Sequence, residues 1–146
     1  MTRIDFYVGA DDRIAVACRL ASKAVQAKTR MLVFVPDETI LARLDRQLWT
    51  QSPTGFIPHC LTNDPLAAET PIVIARNVDD PPLDDVLLNL ADSYPPTFAR
   101  FRRVLEIVSQ NDADKSLARD RFRFYRDRGY QIETHDLSER GNRHSG

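Results

Sequence analysis

The sequence predicts a single α/β domain in which a mostly parallel β-sheet carries helices on both faces. Three observations indicate this class. The chain opens with two successive units, each a β-rich apolar segment followed by a stretch with helical spacing. Three more apolar segments of strand length and a long charged helix follow, without a repeat or an internal linker. The length of 146 residues suits one domain with one core.

The first half of the chain supplies the β-α-β-α opening. The first strand ends at Gly9, and the second is an apolar run that stops at Pro36, as a buried strand does. Asp37 then caps the second helix. Strands joined in this way form a parallel pair with a right-handed crossover. The predicted bounds are strands over 3–8 and 30–35 and helices over 12–28 and 38–49.

The second half adds the remaining strands and one helix. Two prolines, Pro95 and Pro96, separate the fourth strand from the fifth, and Gly129 closes the last helix at its C′ position. The polar stretch 138–146 is expected to be a disordered tail, which leaves the domain at 1–137. The predicted elements are strands over 72–75, 85–90, 103–108 and 130–136 and a helix over 112–128.

Composition excludes several classes of protein. Hydrophobic residues make up 42% of the chain and the formal net charge is −1, which disfavours a protein that coats phosphate backbones. No apolar run approaches the roughly 18 residues that span a bilayer, so we expect no membrane partner. The two cysteines cannot form a disulfide framework, and a reducing cytoplasm is the expected compartment.

The predicted fold is Rossmann-like but lacks the glycine loop that binds nucleotides. Only five glycines are present, and neither G-x-G-x-x-G nor G-x-x-x-x-G-K-[ST] occurs. Asp11 and Asp12 follow the first strand, where α/β folds place their sites, so a magnesium- or nucleotide-dependent enzyme using this loop is the alternative. Asp5 and Tyr7 alternate with apolar residues and are expected at a half-exposed edge. No cofactor is expected.

The charge pattern of the helix over 112–128 differs from that of an ordinary surface helix. Four cations lie on one stripe of it, although like charges at this spacing destabilise a helix. Phe122 lies between the stripe and the apolar side, an arrangement that suits a ligand both acidic and apolar. A solvated face and weak, salt-sensitive binding of single-stranded nucleic acid are the other readings. The stripe consists of Lys115, Arg119, Arg123 and Arg126.

Trp49 is the only tryptophan and ends the second helix, shortly before the loop that contains Phe56. Tryptophan is usually part of the core. At a helix end beside a proline-rich loop, however, it is also typical of interaction surfaces.

These segments together resemble the chi subunit family of bacterial DNA polymerase III, from about residue 3 to residue 135. Each motif is weak alone, but their order and spacing match the family, whereas the tail after His135 has no family counterpart. The motifs are FYV on the first strand, RLDRQLW (43–49), FIPH (56–59), DVLLNL (85–90) and SLARDRFRFYRDRGY (116–130).

The resemblance implies a non-catalytic adaptor with a nucleotide-binding-like α/β fold. Members of the family bind the acidic, hydrophobic C-terminal tail of single-stranded DNA-binding protein, and they bind the psi subunit, which connects them to the clamp loader. Single-stranded DNA is then contacted only indirectly. The family's tail-binding positions fall on Lys115, Arg119, Phe122, Arg123 and Trp49, with Trp49 and Phe122 framing a slot for the terminal phenylalanine. The psi-facing surface falls on Phe56, Ile57 and Pro58.

Overall fold

The computed structural model describes residues 1–50 and 57–138. They form seven strands and three helices. The strands are β1 (Arg3–Ala10), β2 (Met31–Phe34), β3 (His59–Leu61), β4 (Ile72–Ala75), β5 (Val86–Asn89), β6 (Arg103–Ser109) and β7 (Ile132–Asp136). The helices are α1 (Arg13–Gln26), α2 (Glu38–Thr50) and α3 (Asp112–Asp127).

The seven strands form one sheet in the order β3-β4-β2-β5-β6-β1-β7, and every strand pairing in the described part of the chain is parallel. Side chains that alternate along the strands pack into two hydrophobic cores, one on each face of the sheet. Leu44 and Leu48 of α2 share one core with α1, whereas Ala118 and Tyr125 of α3 belong to the core on the other face. The predicted α/β class with helices on both faces is confirmed.

Polar residues next to the helices set their ends. The Asp12 carboxylate accepts from the backbone amides of Ile14 and Ala15, so Asp12 precedes α1 as its N-cap. Asp37 caps α2 in the same way, as predicted. Asn111 caps α3, and Gly129 follows that helix with φ of +83°, the left-handed conformation expected at C′.

Three local predictions differ from the structure. The short strand β3 was not predicted, nor was the single 3-10 turn at Phe98–Arg100. Asp5 and Tyr7 are not at a half-exposed edge: Asp5 is fully buried and Tyr7 is 9% exposed. β1 is an inner strand because β7 pairs along its outer side, and α1 covers the face on which Tyr7 lies.

The two neighbouring strands β1 and β6 send their following helices to opposite faces of the sheet. Their carboxyl ends meet where Ala10 pairs with Ser109. Such a point leaves an open crevice, which is where α/β proteins bind ligands. None of the described helices is long and apolar enough to cross a membrane.

Candidate functional site

A cleft of about 410 Å³ opens beside this crevice, between α3 and the carboxyl ends of β1, β6 and β7, and we call it the α3 cleft. Gly9 has φ of +76°, and a Cβ on it would lie 3.0 Å from the Ser138 hydroxyl. The chain after β7 therefore closes over β1 only because residue 9 has no side chain. The lining residues are Phe6, Val8, Gly9, Val108, Ser109, Lys115, Ala118, Arg119, Phe122, Thr134, Asp136 and Ser138.

The α3 cleft combines an apolar floor with a cationic rim. The Phe122 ring lies edge-on to Phe6, with the ring centroids 5.4 Å apart. Lys115 and Arg119 are exposed at the rim, and neither side chain has a hydrogen-bond or ion-pair partner among the described residues. Asp136 is the only acid among the lining residues, and its carboxylate accepts from the amide and hydroxyl of Ser138. The rim can therefore pair with an acidic ligand.

A buried polar network fixes the position of α3 on the sheet. Glu106 of β6 is fully buried, and its carboxylate accepts from Arg121 Nε at 2.9 Å and from the Tyr125 hydroxyl at 2.8 Å. Asn89 of β5 donates to the same carboxylate at 2.9 Å. Burial raises the pKa of Glu106, and Arg121 and the hydrogen bonds oppose that shift. Arg121 also donates to the carbonyl of Asp92 at 2.7 Å, which adds the loop after β5 to the network.

The other predicted cations of the stripe point away from the α3 cleft. Arg123 does not line it and instead pairs with Asp120 at 2.7 Å on the exposed side of the helix. Arg126 pairs in the same way with Asp127 at 3.2 Å. The stripe thus divides into an N-terminal part without partners in the described part of the chain and a C-terminal part neutralised by the helix's own acids.

Trp49 lies far from the α3 cleft. It is at the end of α2, 53% exposed, with its ring edge-on to His59 of β3 at 5.5 Å. β3 is five strands away from β1 in the sheet, which at the usual spacing is about 24 Å. The expected slot between Trp49 and Phe122 is therefore not formed, because one phenyl ring cannot reach both.

Trp49 instead neighbours the segment predicted to face psi. The amide of Ile57 donates to the carbonyl of Leu48 at 2.9 Å, and Ile57 is buried, whereas Pro58 is exposed. His59 Nε2 lies 2.8 Å from the Asp45 carboxylate, which ties the start of β3 to α2. Phe56 lies outside the described residues.

The acidic loop after β1 is engaged in structural contacts. Asp12 caps α1, and Asp11 accepts from Gln110 at 2.6 Å. A second group, Asp5, Glu133 and His135, has ligand atoms within 4.8 Å of one another.

That second group is poorly suited to a metal cation. Arg103 lies 2.6 Å from Asp5 and Arg3 lies 2.8 Å from Glu133, so a guanidinium already neutralises each carboxylate. A divalent ion would have to displace or tolerate both positive charges.

Sequence reasoning missed the strand side of the α3 cleft. Val8, Thr134 and Asp136 reach it only because β7 pairs with β1 in register, with Val8 opposite Asp136. It also missed Glu106, although a glutamate inside the apolar run RVLEIV was a signal of a buried charge that needs a partner.

Comparison with known proteins connects the chain to one family. The family model described as "DNA polymerase III chi subunit, HolC" matches residues 1–133. The DNA polymerase III subunit chi of Pseudomonas aeruginosa is 41% identical over 143 residues, covering 94% of this chain and 98% of that protein. The subunit chi of Escherichia coli is 29% identical over 120 residues, covering 82% of each chain.

This chain resembles, in fold alone, a variant of the C-terminal domain of S. cerevisiae Dbp5 that was solved with Gle1 and IP6. The likeness has a TM-score of 0.54 at 10% identity and covers 92% of this chain and 89% of that one. The family match and the curated relatives carry the assignment: the chain belongs to the DNA polymerase III chi subunit family and is an accessory, non-catalytic subunit in DNA replication.

Proposed function

We propose that the chain links the clamp loader, through psi, to the acidic C-terminal tail of single-stranded DNA-binding protein. The α3 cleft supports the tail half of this proposal, because two cations that have no partner among the described residues flank its aromatic floor. We propose further that the domain spans 1–137, that it acts in the cytoplasm, and that it contacts single-stranded DNA only through that protein.

The chemistry of the cleft supports recognition of a peptide end. Lys115 and Arg119 would form charge-assisted hydrogen bonds with the terminal carboxylate and with a preceding aspartate. The terminal phenylalanine would lie against Phe122 and Phe6, removing its ring from water. Arg123 would join the two cations only when its own ion pair with Asp120 opens.

Trp49 receives a different role in this proposal. Since its ring contacts His59 and the preceding residue Leu48 accepts a hydrogen bond from Ile57, we group Trp49 with the psi-facing surface that includes Phe56. Two partners could then bind at once, because the two surfaces are about 24 Å apart across the sheet.

Isothermal titration calorimetry with an acidic peptide that ends in proline and phenylalanine tests the tail site. We expect micromolar affinity that falls as salt rises, and at least a tenfold loss in Arg119→Glu. Arg126→Glu is the matched control, since it makes the same charge change on the same helix outside the cleft. Equal affinities of wild type and Arg119→Glu would reject the site.

The same titration separates the two surfaces. Trp49→Ala should leave the affinity for the tail peptide unchanged and weaken binding of psi. A loss of tail affinity in Trp49→Ala, with psi binding retained, would contradict the grouping.

A further inference from the structure

A second cavity lies on the opposite face of the sheet from the α3 cleft, between α1 and the amino ends of β2, β5 and β6. It measures about 330 Å³ and we call it the α1 cavity. Its walls are Tyr7, Leu20, Lys23, Ala24, Ala27, Thr29, Met31, Val86, Arg103 and Leu105. The volume falls within the range of sites for small organic molecules.

The polar side chains on these walls are two cations and two hydroxyls. Lys23 and Arg103 carry positive charge, Tyr7 and Thr29 carry hydroxyls, and no carboxylate lines the cavity. The other six residues are apolar. A few polar groups in an otherwise apolar cavity are the usual arrangement of a site that orients a small ligand by one polar end. The buried Asp5 carboxylate balances the charge of Arg103, so the exposed Lys23 supplies the net positive charge of the walls, which is complementary to an anion.

Arg103 is held rigidly at this cavity. Its Nε donates to the Asp5 carboxylate at 2.6 Å and its Nη2 donates to the Tyr7 hydroxyl at 3.1 Å. His135 Nε2 lies 3.0 Å from the same carboxylate and its ring stacks on Tyr7 with the centroids 4.5 Å apart. The guanidinium is thus preorganised, and its Nη1 has no acceptor among the described residues.

Tyr7 provides a second fixed donor. Its hydroxyl oxygen accepts from Arg103, while its own proton has no acceptor in the part of the chain that the structure describes. Burial raises the pKa of Tyr7, so the hydroxyl remains protonated at neutral pH. Lys23, at the rim, has no ion-pair partner among the described residues either.

We propose that the α1 cavity binds a small free carboxylate with a compact apolar body. The carboxylate would accept from Arg103 Nη1, the Tyr7 hydroxyl and the Lys23 ammonium. The apolar body would lie against Leu20, Met31 and the other aliphatic walls. This site is independent of the proposed peptide site, because it uses other residues on the other face of the sheet.

The probe is cyclohexanecarboxylate, with cyclohexanecarboxamide as its uncharged counterpart. Amide resonances of the full chain are followed by NMR during the titration, so that shifts near Lys23 and Thr29 are read separately from those on α3. We expect saturable shifts at the α1 cavity with a Kd of about 1 mM, typical of a ligand of this size, and at least tenfold weaker binding of the amide.

Four variants make the result specific. Ala27→Phe fills the mouth of the cavity from an exposed position and should abolish the shifts, and Lys23→Gln should weaken binding about fivefold. Lys28→Gln, an exposed lysine that does not line the cavity, should bind like wild type. Arg119→Glu, which disables the peptide site, should also leave these shifts intact.

Other results would overturn the proposal. It fails if the carboxylate and the amide bind equally, if Ala27→Phe still binds, or if the shifts appear only on α3. A tripeptide ending in leucine that bound more tightly than cyclohexanecarboxylate would also reject a small free ligand.

Discussion

Replacing Arg121 by methionine tests whether the buried network fixes α3 on the sheet. In wild type, Arg121 is 2% exposed and forms an ion pair with the fully buried Glu106 at 2.9 Å. Removing one partner of a buried pair costs about 3–5 kcal/mol, because the other charge is left uncompensated. Tyr125 and Asn89 still donate to the Glu106 carboxylate, so we expect the low end, ~3 kcal/mol of unfolding free energy.

The pH dependence of this stability loss tests whether the buried charge of Glu106 causes it. Burial raises the pKa of Glu106, and Arg121 opposes the shift, so the variant raises that pKa further. A group whose folded pKa is raised stabilises the fold below its unfolded pKa and loses that contribution as pH rises through the folded value. The cost of Arg121→Met should therefore be smaller at about pH 5 than at about pH 8.

Urea unfolding of Arg121→Met and of Arg123→Met gives the comparison. Arg123 has the same side chain on the same helix, but its pair with Asp120 is exposed, with 59% and 66% of the two side chains accessible. Its loss should cost no more than about 0.5 kcal/mol and vary little with pH. Equal costs for the two variants, or a cost for Arg121→Met that does not depend on pH, would refute the buried network as the anchor of α3.

Two further predictions concern β1 and α1. Burial alone would raise the pKa of Asp5, but His135 and Arg103 bring it below the usual 3.8, so its contribution to stability is present above that pH and lost as pH falls through the folded value. Asp5→Asn should therefore flatten the acid side of the stability profile measured by urea unfolding, and an unchanged profile would contradict this. Asp12→Ala removes the cap of α1 and should cost about 1 kcal/mol. If Mg²⁺ raised the melting temperature of the wild type but not of Asp12→Ala, the magnesium-dependent enzyme would instead be favoured.

The helices and most strands could be predicted because each carries its own local pattern. The run IVIA and the run MLVF are apolar throughout, and α3 has both an acidic first turn and Gly129 after its end. β3 lacks such a pattern, since it has three residues and only one side of it is paired, with β4. β3 forms because it pairs with the edge strand β4, and the local sequence does not reveal that pairing.

The candidate site was predictable on its helix and not on its strands. Lys115, Arg119 and Phe122 lie three or four residues apart, and helical geometry alone brings them together. Trp49 was misplaced because its distance from Phe122 depends on the strand order, in which five spacings separate β3 from β1. Order and register are set by non-local pairing, which helical and strand periodicity do not reveal.

The distribution of charge in the cleft argues for an acidic peptide over DNA as the ligand. Two cations that release counterions from a single strand give a slope of only about −1.4 in a plot of log K against log salt concentration. So few phosphate contacts are too weak for stable binding. A peptide end offers carboxylates to the same two cations and, in addition, an aromatic ring for the floor formed by Phe6 and Phe122. Burial of that ring contributes about 1.5–3 kcal/mol that does not depend on salt. High salt should therefore weaken the peptide complex only in part, whereas it would abolish a complex held by phosphate contacts.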